Sequence, residues 1–148
     1  MKSFNDFISQ FKIIEPLSNF QLIEKCEELQ IQKFKGVFMR DELNKNRKST
    51  KDECLILNID ESRKQGTHCT CLFIKNDKLY YFNSYKFPPP LDVEEYYTGN
   101  ERYYNSFKIQ QNNEVICGHY CIYVLYRLSN GYDFYGILDE LVRLKDLK

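Results

Sequence analysis

Cys117 is followed at once by Gly118, and residues 118–130 form an apolar run that reads as a buried helix. A cysteine at the first turn of such a helix faces N–H groups without intrahelical partners and the positive end of the aligned peptide dipoles. Both favour thiolate over thiol. Gly118, with no side chain, would let another backbone approach closely. Upstream, His68 opens a strand-like run and Asn83 stands near the end of the next one. An imidazole beside the sulfur could accept its proton, and an amide oxygen could hold the ring. Gln110 and Gln111 precede the loop that leads to Cys117. Either side-chain amide could donate, together with the Cys117 N–H, to a developing oxyanion. Such a set suits acyl transfer: sulfur attacks a carbonyl carbon, and imidazole passes the proton to the leaving group.

These residues need elements to hold them. Ser18 is an N-cap candidate, and Leu22, Ile23, Cys26 and Leu29 follow at helical spacing, so residues 18–30 read as a helix. Residues 41–53 are polar and charged and read as a solvated loop. Residues 54–59 (CLILNI) are a short apolar run, a buried strand. Residues 68–75 and 79–84 are strand-like, separated by Asn76-Asp77-Lys78, which reads as a hairpin turn. Counting alternation from His68 sends its ring toward the cleft and Cys69 and Cys71 to the opposite face. Pro90 is placed at N1 of a short helix ending at Gly99, and residues 103–110 read as another strand. Gly131 is the expected C′ residue after the buried helix. Asp133 is expected to cap a last helix with Phe134, Ile137, Leu138 and Leu141 on one face. The fold class is therefore α+β: an antiparallel central sheet packed against a buried helix bearing Cys117, with flanking helices.

The 148 residues fit a single domain, 1–148, with residues 1–16 as a candidate N-terminal extension. Hydrophobic residues at 43% are enough for a packed core. Twenty-one basic residues balance 21 acidic ones, so nothing in the charge points to nucleic acid or an acidic membrane as partner. No apolar run approaches the roughly 18 residues of a membrane span, and MKSFNDFISQF does not read as a secretory leader. The six cysteines are accordingly expected to be reduced thiols in an intracellular setting.

The order His, Asn, Gln, Cys-Gly resembles the adenovirus-type (adenain-like) cysteine proteases, in particular those of virus-like DNA transposons and related viruses, and more distantly the SUMO-removing proteases. Four segments carry the resemblance: residues 34–43 (FKGVFMRDEL), residues 58–62 (NIDES) with 66–69 (GTHC), residues 80–85 (YYFNSY) with the prolines behind them, and Gln110 leading to residues 117–121 (CGHYC). Together they span about residues 17–145. The resemblance implies a thiol endopeptidase with His68, Asn83, Gln110 and Cys117 as catalytic residues and no cofactor or metal. It implies polypeptide substrates, viral or element-encoded capsid precursors, cut after small residues such as glycine. The setting would be host cytoplasm or nucleus, or the virion. Gln110, seven positions before Cys117, has the adenovirus-type spacing and is favoured; Gln111, six before, has that of the SUMO-protease branch. Two positions depart from the family pattern. Cys69 stands where a Trp usually follows the histidine, and Asn83 stands where Asp or Glu is usual; an amide can hold the ring but brings no negative charge to favour imidazolium.

Other readings stay beside this one. The same chemistry could remove a ubiquitin-like modifier, or the chain could be a decayed relative kept as a binding module. The Cys117-x-His119-x-Cys121 run, with Cys69 and Cys71, could hold zinc, although C-x₂₋₄-C spacing is missing. His119 is expected to aim away from Cys117, in a structural or substrate-facing role. Cys121, one turn below Cys117, is expected in the core. The tyrosine pairs at 80–81, 96–97 and 103–104 read as packing rather than base-stacking platforms.

Overall fold

The computed structural model describes residues 3–43, 51–59, 68–97, 99, 101–110 and 116–146. Every residue of β2 (Glu53–Asn58) is buried, as its unbroken apolar run requires, so the strand needs cover on both faces. It receives that cover in a three-layer arrangement. Cys54 and Ile56 turn toward one hydrophobic cluster and Leu55 and Leu57 toward another on the opposite side of the sheet.

The sheet has five strands in spatial order β1 (Phe34–Met39), β2, β3 (Cys69–Lys75), β4 (Lys78–Phe82) and β5 (Glu101–Tyr104). The central three are antiparallel, as expected from the hairpin, while both edges pair in parallel: β1 with β2 and β5 with β4. A parallel neighbour needs a crossover, and α3 (Leu91–Tyr96) lies on the path from β4 to β5. The hairpin turn is made by Asn76 and Asp77, both at positive φ (52° and 64°), the pairing of a two-residue type I′ turn whose twist matches the strands. Along β1 the register slips between Phe34 and Val37, where Gly36 takes φ 130°; this bulge lies inside a segment that the sequence marked only as a family motif.

Three sequence expectations shift at their boundaries. Pro90 is the residue before α3 rather than its first residue, and the helix gives way at Tyr97, not Gly99. The strand expected over 103–110 ends at Tyr104. The polar stretch 41–53 holds the end of a short 3-10 turn (Arg40–Glu42) and the first residue of β2, and residues 44–50 lie outside the described residues. The locally coded features match. α2 (Asn19–Glu28) starts at Ser18 with a reciprocal capping box to Gln21, Gly131 follows α4 at φ 86°, and Asp133 Oδ2 accepts from Gly136 N at 3.0 Å at the head of α5 (Phe134–Asp146).

α4 (Cys117–Ser129) is buried from Gly118 through Leu125 and again at Leu128. It lies on β3, with α2, α5 and α1 (Phe4–Ile8) packed around it. That enclosure explains why the segment is apolar all round rather than amphipathic. Residues of the 1–16 stretch belong to this layer. Phe7 is fully buried, Phe4 stacks on Tyr120 with ring centroids 4.7 Å apart, and the Phe4 N–H reaches Glu140 Oε2 at 3.1 Å. Among the described residues, no helix is long and apolar enough to cross a membrane.

Gly118 sets how closely α2 and α4 approach. A Cβ there would stand 2.8 Å from Leu22 Cδ2, and Leu22 is fully buried. Its missing side chain therefore makes room for α2 rather than for a substrate backbone. Gly118→Ala should lower stability by about 1–3 kcal/mol through overpacking, read as a lower denaturation midpoint at unchanged slope. An unchanged midpoint would show that Leu22 has room to move aside.

Candidate active site

Asn83 follows the last residue of β4 and begins a tight turn. Its carbonyl accepts from Lys86 N at 2.8 Å, and its side-chain Oδ1 accepts from Tyr85 N at 2.9 Å. That is the turn behaviour expected of an asparagine at a strand end. The same Oδ1 lies 2.9 Å from His68 Nε2. Because Tyr85 N–H can only donate, the atom facing it must be the amide oxygen, and Nε2 must then carry a proton to donate as well. In the neutral ring the other nitrogen, Nδ1, is left as the proton acceptor. Tyr85 also stacks on the imidazole, with centroids 4.4 Å apart and planes at 28°. His68 and Asn83 are both buried.

Cys117 is the first residue of α4, and its N-cap, Ile116, supplies no side-chain acceptor to the helix start. Its Sγ accepts from Cys69 N at 3.3 Å. Hydrogen bonds from the Cys69 thiol, from His68 and from the Cys69 N–H hold Cys117 well below the usual thiol range, against the opposing effect of burial. The Cys69 thiol moves the opposite way, pushed well above that range by its bond to Cys117 and by burial. The structure thus brings His68, Asn83 and Cys117 together from the start of β3, the end of β4 and the start of α4.

Gln110 is buried beside this group. Its Oε1 accepts from Ser84 Oγ at 2.6 Å, and its backbone N–H donates to Ser84 O at 3.0 Å. With the oxygen end of the amide taken by Ser84, the other end is the NH₂, a pure donor. Gln111 lies outside the described residues.

Three sequence readings need correction or narrowing. Cys69 and Cys71 do not face away from the site. They belong to the cluster beneath α4, with Cys69 in contact with Cys117. β3 begins at Cys69, so His68 stands before the strand and reaches the site from its end; alternation cannot be counted through it. His119 is fully buried with its ring edge-on to Phe11 at 4.6 Å, which leaves the structural role and excludes a substrate-facing one. The three side chains of the C-x-H-x-C run diverge: Cys117 toward Cys69 and His68, His119 toward Phe11, and Cys121 toward Cys71. Among the described residues no three His, Cys, Asp or Glu side chains converge as a metal site.

Ser84 and Asn105 carry no role in the sequence reading, yet both hold the site. Asn105 Oδ1 accepts from Asn83 N at 3.1 Å, and Asn105 Nδ2 donates to Asn83 O at 2.6 Å and to Phe107 O at 3.1 Å. Its carboxamide takes the place of a peptide group beside β4, which is why β5 stops one residue earlier. The available signal was an asparagine inside an aromatic strand-like run, where a strand interior disfavours it.

A five-stranded sheet carrying His68 and Asn83 at its end is laid against a buried helix that begins with Cys117, in an α+β fold. No protein-family model and no curated protein sequence matches the chain. Among solved structures it is similar to the crystal structure of the ASFV pS273R protease, with a TM-score of 0.58 and 17% identity over 83% of this chain and 61% of that one. The Se-Met ASFV pS273R protease structure matches with a TM-score of 0.53 and 16% identity over the same shares. The chain thus spans less than two thirds of the length of the protease it matches.

Two measurements check the electrostatics. Carbamidomethylation of Cys117 by iodoacetamide should be nearly constant in rate between about pH 6 and 8, because the thiolate is already formed, whereas an ordinary thiol speeds up about tenfold per unit. A tenfold rise per unit at Cys117 would mean an unperturbed thiol. Among the described residues His119 has no hydrogen-bond partner for either ring nitrogen, and burial lowers its pKa to about 4. Its folded pKa lies below the unfolded value of 6.5, so the unfolded chain binds the extra proton. The His119 contribution is intact above pH 6.5 and is lost at up to about 1.4 kcal/mol per unit as pH falls toward 4. His119→Phe should flatten the stability profile over that window, and parallel profiles would refute the assignment.

Proposed function

We propose that this chain is a cysteine endopeptidase in which Cys117 is the nucleophile, His68 the general base and acid, Asn83 the ring-orienting residue, and Gln110 with the Cys117 N–H the oxyanion site. The observation that carries this reading is the Cys117–His68–Asn83 contact series at the head of a buried helix, with Asn83 Oδ1 fixing Nε2 as the protonated nitrogen. Likeness of fold to a protease supports it.

In this reading the thiolate attacks the carbonyl carbon of the scissile peptide. The oxyanion forms against the Cys117 N–H, which has no intrahelical acceptor at the first helical position, and against the amide of Gln110, which Ser84 Oγ anchors through the oxygen. His68 Nδ1 delivers its proton to the leaving amine, and a thioester remains on Cys117. A water molecule that loses its proton to the same nitrogen then attacks the thioester, and collapse of the second oxyanion releases the acid and restores the thiol pair. Asn83 keeps the ring in place through both halves. The chemistry runs on these side chains alone.

The substrate in this reading is a polypeptide. By the resemblance stated above, it is a precursor protein encoded by a virus or mobile element and is cut after small residues. The setting is intracellular, in keeping with six free cysteines.

A fluorogenic peptide set with glycine before the cleaved bond tests the proposal. Cys117→Ala should abolish hydrolysis with an unchanged circular dichroism spectrum. Gln110→Ala should lower kcat about 10²-fold. Ser84→Ala should lower kcat less, with KM unchanged, because the amide remains but loses its anchor. Hydrolysis that survives Cys117→Ala would overturn the reading. Folded wild type that neither cleaves peptides nor is labelled at Cys117 by a peptide vinyl sulfone would make the chain a binding module. Labelling by a ubiquitin-like vinyl sulfone alone would point to modifier removal.

A further inference from the structure

We propose that Cys69 is a resolving thiol for Cys117, and that peroxide converts the pair into a reversible Cys69–Cys117 disulfide that switches the site off. The pair is already in contact: Cys69 N–H reaches Cys117 Sγ at 3.3 Å, and the Cys69 thiol is hydrogen-bonded to the same sulfur. The two sulfurs differ in access. Cys117 is half-buried, whereas Cys69 is 7% exposed, so a small oxidant from solvent meets Cys117 first. Their ionisation follows the same division, Cys117 toward thiolate and Cys69 held as a thiol, and the thiolate is the form that attacks peroxide.

The Cys117 thiolate attacks one oxygen of hydrogen peroxide; an S–O bond forms, the O–O bond breaks, and the departing hydroxide is protonated to water. The product is a sulfenic acid at Cys117. The Cys69 sulfur then attacks Cys117 Sγ. The S–S bond forms, the S–O bond breaks, and the hydroxide leaves as water with the Cys69 proton. Two thiols lose two electrons in total, and one peroxide becomes two waters. A dithiol reductant reverses the disulfide by exchange. Without a partner thiol, the sulfenic acid would go on to the irreversible sulfinic acid. The other thiol neighbours, Cys71 and Cys121, are hydrogen-bonded to each other and almost fully buried. Cys69 is therefore the sulfur in position to resolve.

The disulfide does not depend on the peptidase reading; only its effect on activity does. The full chain is treated with a few-fold molar excess of hydrogen peroxide, enough for two successive oxidations of one sulfur, blocked with iodoacetamide and mapped by mass spectrometry, with peptide hydrolysis measured alongside. The expected result is a Cys69–Cys117 linked peptide and loss of most activity, with both reversed by dithiothreitol. In Cys69→Ser the same treatment should leave Cys117 as sulfinic acid, and dithiothreitol should restore nothing. Sulfinic acid at Cys117 in wild type without the linked peptide would overturn the proposal, as would a first crosslink joining any other pair. The wild-type map decides the matter alone if Cys69→Ser does not fold. A linked peptide in a protein inactive before and after treatment would refute the peptidase and leave the disulfide standing. Full activity with no link would do the reverse.

Discussion

The Asn83 carboxamide oxygen accepts two donors at once, Tyr85 N–H and His68 Nε2–H, both at 2.9 Å. The first is a backbone group in a tight turn and cannot reverse its role. It fixes which end of the amide faces the imidazole, hence which nitrogen holds the proton, hence which nitrogen is left for Cys117. A tautomer at the site is thus set by a turn in the main chain. The turn is in turn held by Asn105, whose amide grips both the N–H and the carbonyl of Asn83. A carboxylate at position 83 would accept the same donors. It would also place a negative charge where His68 and Asn83 are 6% and 2% exposed, and a buried charge is costly unless it is paired. The neutral amide keeps the orientation without that demand on the fold.

The two halves of the site come from opposite layers, sheet end and helix start, and their alignment is inherited from the core between them. Cys71, Ile56 and Phe82 on the sheet share one hydrophobic cluster with Cys121, Ile122 and Leu125 of α4. Fully burying side chains of this size contributes about 1.5–3 kcal/mol each, so sliding α4 along the sheet would give up several such contributions together. Gly118 against Leu22 and His119 against Phe11 fix the helix start from its other side. His119 shows what that closure costs: two ring nitrogens without partners among the described residues, in a fully buried position, an arrangement that destabilises the fold.

Features written in a few neighbouring residues could be read directly. The capping box at Ser18 and Gln21, the Asn76-Asp77 turn, Gly131 after α4 and Asp133 at the head of α5 all stand where local chemistry placed them. So does α4, because only a helix covered all round is apolar all round. The candidate residues His68, Asn83 and Cys117 were legible as types at a spacing, and the fold brings them into contact. What could not be read depends on pairing between distant segments. The parallel edges β1 and β5 follow from crossovers, which hydrophobic pattern does not encode. Asn105 and Ser84 act by bonding to residues about twenty positions or more away in the chain, and nothing in their own neighbourhoods signals a partner. Cys69 was misplaced for a subtler reason. Alternation is a rule about residues inside a strand, and His68 stands just outside one.

Asn83 and Cys69 make electrostatic sense as a pair. An acidic residue at position 83 would favour imidazolium, and imidazolium would hold the Cys117 sulfur as thiolate across the gap. Asparagine removes that charge and with it part of the attraction. Cys69 puts two donors on the same sulfur from the other side, its N–H and its thiol, and hydrogen bonds to a charged form favour that form. A tryptophan in its place would offer the N–H but would direct an indole, not a thiol, from the same backbone position. The aromatic cover over the imidazole comes instead from Tyr85, stacked on the ring from the turn after β4. Thiolate stability in this way draws on the Cys69 donors as well as on His68. The consequence is chemical: a sulfur stabilised by a second sulfur is also one that oxidation can join to it.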